Sequence, residues 1–98
     1  PAVRLPVIQG EDNVAHLYVI RCKNRDALKK HLQDKGIASD IHYPILDCHQ
    51  PVVQQAFSGV DLPVSARVRD EILTLPCYPE LTFGEVDAIA DCINAWNP

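Results

Sequence analysis

The chain has 98 residues, 47% of them hydrophobic and 22% charged, the mixture of one small globular domain rather than of a disordered segment. Nine Lys and Arg stand against 13 Asp and Glu, a net charge of −4, which argues against a basic nucleic-acid surface. No apolar run approaches the roughly 20 residues of a membrane-spanning helix, and the opening PAVRLPVIQG lacks the basic and apolar regions of a signal peptide.

Residues 1–13 are expected to be irregular, because Pro1, Pro6, Gly10 and an acidic pair break any period. The aromatic and β-branched run from Ala15 to Cys22 then predicts a strand, with apolar residues on both of its faces. Asn24 suits a helix N-cap, and Asp26 suits the positive end of the helix dipole. Ala27, Leu28, His31 and Leu32 form one stripe at helical spacing, while Lys29, Lys30 and Gln33 point away. Gly36 is placed as a left-handed C-cap with Ile37 folding back.

A second strand is predicted from about Ser39 to Tyr43, stopped at Pro44. Pro51 opens a short predicted helix through Phe57. Asp61 to Pro63 open another, with Val64, Val68 and Ile72 four residues apart. Leu73 to Leu75 predict a brief strand, stopped by Pro76. Thr82 and Glu85 form a capping-box signature, with Leu81 and Val86 able to staple around it. Val86, Ile89, Ala90, Ile93 and Trp96 follow as the buried face of the last helix. The order is that of an α+β domain with helices packed on a small sheet.

The densest polar cluster is Asp40 to Pro51, with two imidazoles, two carboxylates, a phenol and a thiol between two prolines. Strand alternation puts Asp40 and His42 on one face, and Ile41 and Tyr43 on the other. Strand ends and the loops after them often contact ligands. The same pattern also suits a hydrogen-bonded structural histidine beside a tyrosine that covers the core. A zinc site from His42, Cys48, His49 and Cys77 has acceptable ligand types but follows no familiar spacing. Cys48 and His49 are sequence neighbours on an extended segment, so they point apart and do not pair as nucleophile and base.

Four cysteines, at 22, 48, 77 and 92, include no CxxC pair and read as reduced thiols. The lysines are Lys23, Lys29, Lys30 and Lys35, all on or beside the first helix. None looks placed in the desolvated pocket that a Schiff-base lysine needs. The four glycines form no phosphate-binding loop. The chain has no Met and begins at Pro1, from which a processed start or a segment of a longer protein is expected.

Several blocks resemble one family. They are His16-Leu17-Tyr18-Val19-Ile20-Arg21, Asn24 to Leu28, Lys35-Gly36-Ile37, Ile41-His42-Tyr43-Pro44, Leu62-Pro63-Val64, and Ile72 through Thr82. In order and spacing they are similar to the C-terminal part of the DegT/DnrJ/EryC1/StrS aminotransferases, which use pyridoxal 5'-phosphate and act mostly on nucleotide-linked keto-sugars. The resemblance covers about residues 14–97.

The resemblance implies a small C-terminal domain over residues 14–98, led by residues 1–13 from a large domain that this chain lacks. It implies an α+β fold with a mainly antiparallel or mixed sheet of about three strands. The large domain would carry the cofactor and its lysine, so no cofactor is expected on this chain. Glutamate is the implied amino donor, and a nucleotide-linked keto-sugar the acceptor. The implied parent is a cytoplasmic homodimer with no nucleic-acid or membrane partner, and the chain alone is expected to be inactive. His42 and Tyr43 fall on the implied substrate side, with His49 and Gln50 as further substrate-binding candidates. After Pro44 the chain departs from many members: they continue with a proline and a leucine-histidine pair, where this chain has Ile45 to Pro51. Two other readings compete. One is a free-standing small-molecule binding or regulatory α+β module; the other is a structural oligomerisation domain.

Overall fold

The structure is a computed structural model that describes residues 2–8 and 10–97. A three-stranded antiparallel sheet runs in the order β1 (Val3–Arg4), β2 (Tyr18–Cys22), β3 (Ile72–Leu75). Three α-helices, α1 (Arg25–Asp34), α2 (Pro63–Glu71) and α3 (Phe83–Asn94), complete the expected α+β architecture. A 3-10 turn spans Asp47–His49. No helix among the described residues is long and apolar enough to cross a membrane.

Register explains the core. Ile20 faces Leu73, and Tyr18 faces Leu75; with Cys22 these side chains share one face of the sheet, because alternate residues point the same way. Leu28 and Leu32 of α1 close on that face, and Ile89, Ile93 and Trp96 pack against the same cluster. His31 ties the two helices, its Nε2 lying 3.1 Å from the carbonyl oxygen of Cys92. The other face carries Val19 opposite Thr74 and Arg21 opposite Ile72, with α2 against β2. Arg21 reaches Glu71 of α2 through Nε and Nη2 to a single carboxylate oxygen, at 3.1 and 2.7 Å. Arg25 donates to the carbonyls of Arg69 and Ile72, capping the C-terminal end of α2, where helix carbonyls lack partners.

The helix ends follow the sequence signals. Gly36 has φ +75°. The Ile37 N–H donates to Leu32 and the Gly36 N–H to Gln33, the paired bonds of a Schellman cap. Thr82 and Glu85 form the full capping box of α3. Asn24 occupies the N-cap of α1 without a side-chain bond. The last helix buries less than its stripe suggested: Val86 is 45% exposed and Ala90 is exposed, while Ile89, Cys92, Ile93 and Trp96 meet the core.

Three expectations change. The irregular lead contains β1, which pairs Val3 with Cys22 and Arg4 with Arg21 before Pro6 removes a donor. The strand predicted from Ser39 to Tyr43 reduces to one bridge, Asp40 with Thr74. Asp40 turns its own carboxylate onto the Ile41 N–H at 2.8 Å, a local bond that competes with a ladder. The helix expected from Pro51 to Phe57 is a chain of turns mixing i−3 and i−4 bonds. That segment has no apolar stripe to dock, since only Val53 is half-buried and Val52 is 90% exposed.

Candidate functional site

Thr74 organises the polar cluster. It sits mid-strand in β3 and is the buried polar side chain of the core region, 6% exposed. Its main-chain N–H donates to the Asp40 carbonyl at 2.7 Å, and its carbonyl accepts from the Asp40 N–H at 3.1 Å. Its Oγ1 shares a hydrogen bond with His42 Nδ1 at 2.9 Å. The sheet therefore fixes both the backbone at Asp40 and the ring two residues later. Nδ1 is occupied, and His42 Nε2 has no hydrogen-bond partner among the described residues.

Asp40 lies outside this ring contact. Its carboxyl is held below the ordinary Asp range, first by the Ile41 N–H and then by the charges of Lys29 and His42. Lys29 Nζ is 3.7 Å from that carboxylate and donates to the Ser39 carbonyl at 3.0 Å. The lysine expected to point away thus braces the start of the segment.

Tyr43 stands edge-on to His42, with ring centroids 5.2 Å apart and planes at 88°, and the peptide between them is cis. The tyrosine is 68% exposed. It forms one wall of a cavity of about 650 Å3 between the 43–57 loop and α2. Leu46, Phe57, Val64 and Val68 supply its apolar lining, and Asp47, Ser65 and Arg69 its polar points. A small number of polar groups on an apolar wall is the usual make-up of an organic-ligand site.

Of the four residues expected to bind substrate, Tyr43 lines this cavity, whereas His42, His49 and Gln50 do not. His49 is exposed, and Gln50 is half-buried, its carbonyl accepting from Val53 and Gln54. Asp47 and the buried Cys48 both line the cavity. Sequence reasoning missed Thr74, which read as one residue of a short strand. It also missed Ser65 and Arg69, whose spacing of four on α2 was the available signal. All four cysteines are free. Among the described residues no group of three or more His, Cys, Asp or Glu is arranged to hold a metal ion.

The sequence profile of the DegT/DnrJ/EryC1/StrS aminotransferase family matches residues 2–94. The chain belongs to this family. It is 31% identical to the dTDP-3-amino-3,6-dideoxy-alpha-D-galactopyranose transaminase of Aneurinibacillus thermoaerophilus, over 98% of the chain and 26% of the relative. It is 33% identical to the 3-oxo-glucose-6-phosphate:glutamate aminotransferase of Bacillus subtilis, over 91% of the chain and 21% of the relative. Among solved structures it superposes on Streptomyces venezuelae DesV, in complex with a ketimine intermediate, with a TM-score of 0.87 and 28% identity. That overlap covers 98% of the chain and 26% of DesV. It also superposes on NtdA of Bacillus subtilis with bound cofactor PMP, at a TM-score of 0.81 and 32% identity, over 95% of the chain and 22% of NtdA. The chain thus spans about a quarter of the length of the family relatives it matches.

The family uses a pyridoxal phosphate cofactor, and the lysines of this chain do not fit its covalent anchor. Lys29 is committed to Ser39 and Asp40, and Lys30 pairs with Asp34 at 3.1 Å. Lys23 and Lys35 are exposed. None lies in the desolvated pocket that a Schiff-base lysine needs.

Proposed function

We propose that this chain is the small-domain portion of a pyridoxal-phosphate aminotransferase that aminates a nucleotide-linked keto-sugar, taking the amino group from glutamate. The observation that carries the proposal is the likeness along nearly the whole chain to a dTDP-sugar transaminase about four times its length. The glutamate donor draws support from the name of the Bacillus subtilis relative. In this reading the cofactor and its lysine belong to the large domain, and the enzyme is a cytoplasmic homodimer.

The chain's own contribution is then a pocket wall. Tyr43 offers an exposed ring and hydroxyl on the wall of an apolar cavity, and His42, outside the lining but edge-on to Tyr43, offers Nε2 with its ring held by Thr74. An aromatic face and a ring nitrogen suit a sugar, whose faces are apolar and whose edges carry hydroxyls. His49 and Gln50 reach the substrate from the same loop, outside the cavity. The protein supplies orientation, while the electron sink belongs to the cofactor.

The test compares the full polypeptide carrying this sequence with the 98-residue chain. Each is supplied with pyridoxal phosphate, glutamate and a dTDP- or UDP-linked keto-sugar, and amino-sugar is read by mass spectrometry. Product from the full polypeptide and none from the chain is expected. Transfer by the chain alone, or failure of the full polypeptide on every nucleotide-linked keto-sugar, overturns the reading.

A further inference from the structure

The nine lysines and arginines divide into two groups. Arg21, Arg25, Lys29, Lys30 and Arg69 each have a carboxylate within 4 Å. Arg4, Lys23, Lys35 and Arg67 have none among the described residues. Three of these four unpaired cations, Arg4, Lys23 and Arg67, line a single cavity of about 700 Å3. Arg21 lines it too, so among the described residues four cations face one carboxylate, Glu71, which Arg21 already binds at 2.7 Å. Such a concentration stands out in a chain of net charge −4.

The fold assembles this cluster from distant positions. Arg4 comes from β1, Arg21 from β2 and Lys23 from the turn into α1, while Arg67 lies one helical turn before Glu71 on α2. Half-buried Trp96, beyond α3, adds an aromatic surface to the wall. Gathering like charges without counter-charges is unfavourable unless an anion relieves it. Guanidinium forks match phosphate oxygens, and several can share one phosphate group. A lone carboxylate would leave most of the surplus charge uncompensated.

We propose that this cavity binds the phosphate group or groups of a small molecule, held by Arg4, Lys23 and Arg67 against the floor made by Arg21 and Glu71. No residue lines both this cavity and the one beside Tyr43. The proposal therefore stands independently of the sugar reading. The cations are exposed except for Arg21, so binding is reversible and weakens as salt rises.

The probe is inorganic pyrophosphate, titrated calorimetrically into the full polypeptide and into three variants, Lys23→Ala, Arg67→Ala and Lys35→Ala. Both Lys23 and Arg67 are exposed and unpaired, so the substitutions leave the core intact. A loss of about tenfold in affinity is expected for Lys23→Ala and for Arg67→Ala, as removal of one charge-assisted bond predicts. Lys35→Ala, which removes the unpaired cation outside the cavity, is expected to bind as the wild type does. Equal losses in all three variants reduce the effect to general surface charge and overturn the site. Unchanged affinity in Lys23→Ala and Arg67→Ala overturns it as well. Absence of wild-type binding does the same, and leaves the cations to an acidic segment elsewhere in the polypeptide.

Discussion

His42 Nδ1 lies 2.9 Å from Thr74 Oγ1, on a threonine whose main chain bonds Asp40 through both its N–H and its C=O. One buried strand residue thus positions the ring and the backbone that leads to it. Thr74→Val keeps the shape and removes the hydroxyl. Under the proposed function, kcat/KM of the full polypeptide for the keto-sugar is expected to fall about tenfold, the worth of one good hydrogen bond at a positioned ring. Thr74→Ser, which restores the hydroxyl, is expected to recover most of the loss. Wild-type kinetics in Thr74→Val would show that the ring needs no such support.

Leu28 is fully buried between the sheet and the rest of α1. Leu28→Ala is expected to destabilise the chain by about 3 kcal/mol, combining lost transfer energy with the cavity left behind. Chemical denaturation checks this through a lower midpoint at unchanged slope. The core is small, so a loss of this size takes a large share of the stability that a domain of this length has.

The same substitution at two glycines should act in opposite directions. Gly36 has φ +75°, and Gly84 lies in the first turn of α3 without a positive φ. At both positions an added Cβ meets no atom within 4 Å, so crowding does not decide the sign. Gly36→Ala pays the left-handed backbone penalty and should cost about 1 kcal/mol. Gly84→Ala should stabilise by about 0.5 kcal/mol through helix propensity and unfolded-state entropy. Denaturation midpoints moving the same way for both would contradict the cap geometry.

Glu85 accepts hydrogen bonds from the Thr82 N–H and hydroxyl, both at 2.8 Å. These bonds, the backbone one first, hold its carboxyl below the ordinary Glu range. A carboxylate whose folded pKa is depressed stabilises the fold above its unfolded pKa. The contribution is lost as pH falls through the folded value. Protection of the first-turn amides of α3 in hydrogen exchange is therefore expected to drop on acidification below the ordinary carboxylate range. In Glu85→Ala that protection should be low already at neutral pH and should respond less to acid.

The sequence alone determined the elements whose signals are local. The capping box at Thr82, the Gly36 C-cap and the α1 stripe at Leu28 and Leu32 all appear where residue type and spacing put them. The blocks from His16 to Thr82 likewise carried the family, because their order survives in the chain itself. His42 and Tyr43 were legible as candidate site residues on opposite faces of a strand, whereas the structure has no strand there and sets their rings edge-on. What tertiary structure decided depends on partners distant in the chain. β1 exists because Val3 and Arg4 find the free edge of β2. The strand expected at Ser39 to Tyr43 reduces to one bridge because Asp40 satisfies the Ile41 N–H itself. Thr74 became a positioning residue, and Arg4, Lys23 and Arg67 became neighbours, only when the sheet and α2 brought them together. Hydrophobic period and capping chemistry act over a few residues, whereas hydrogen-bond partners and charge clusters are set by which strand edge and helix face meet.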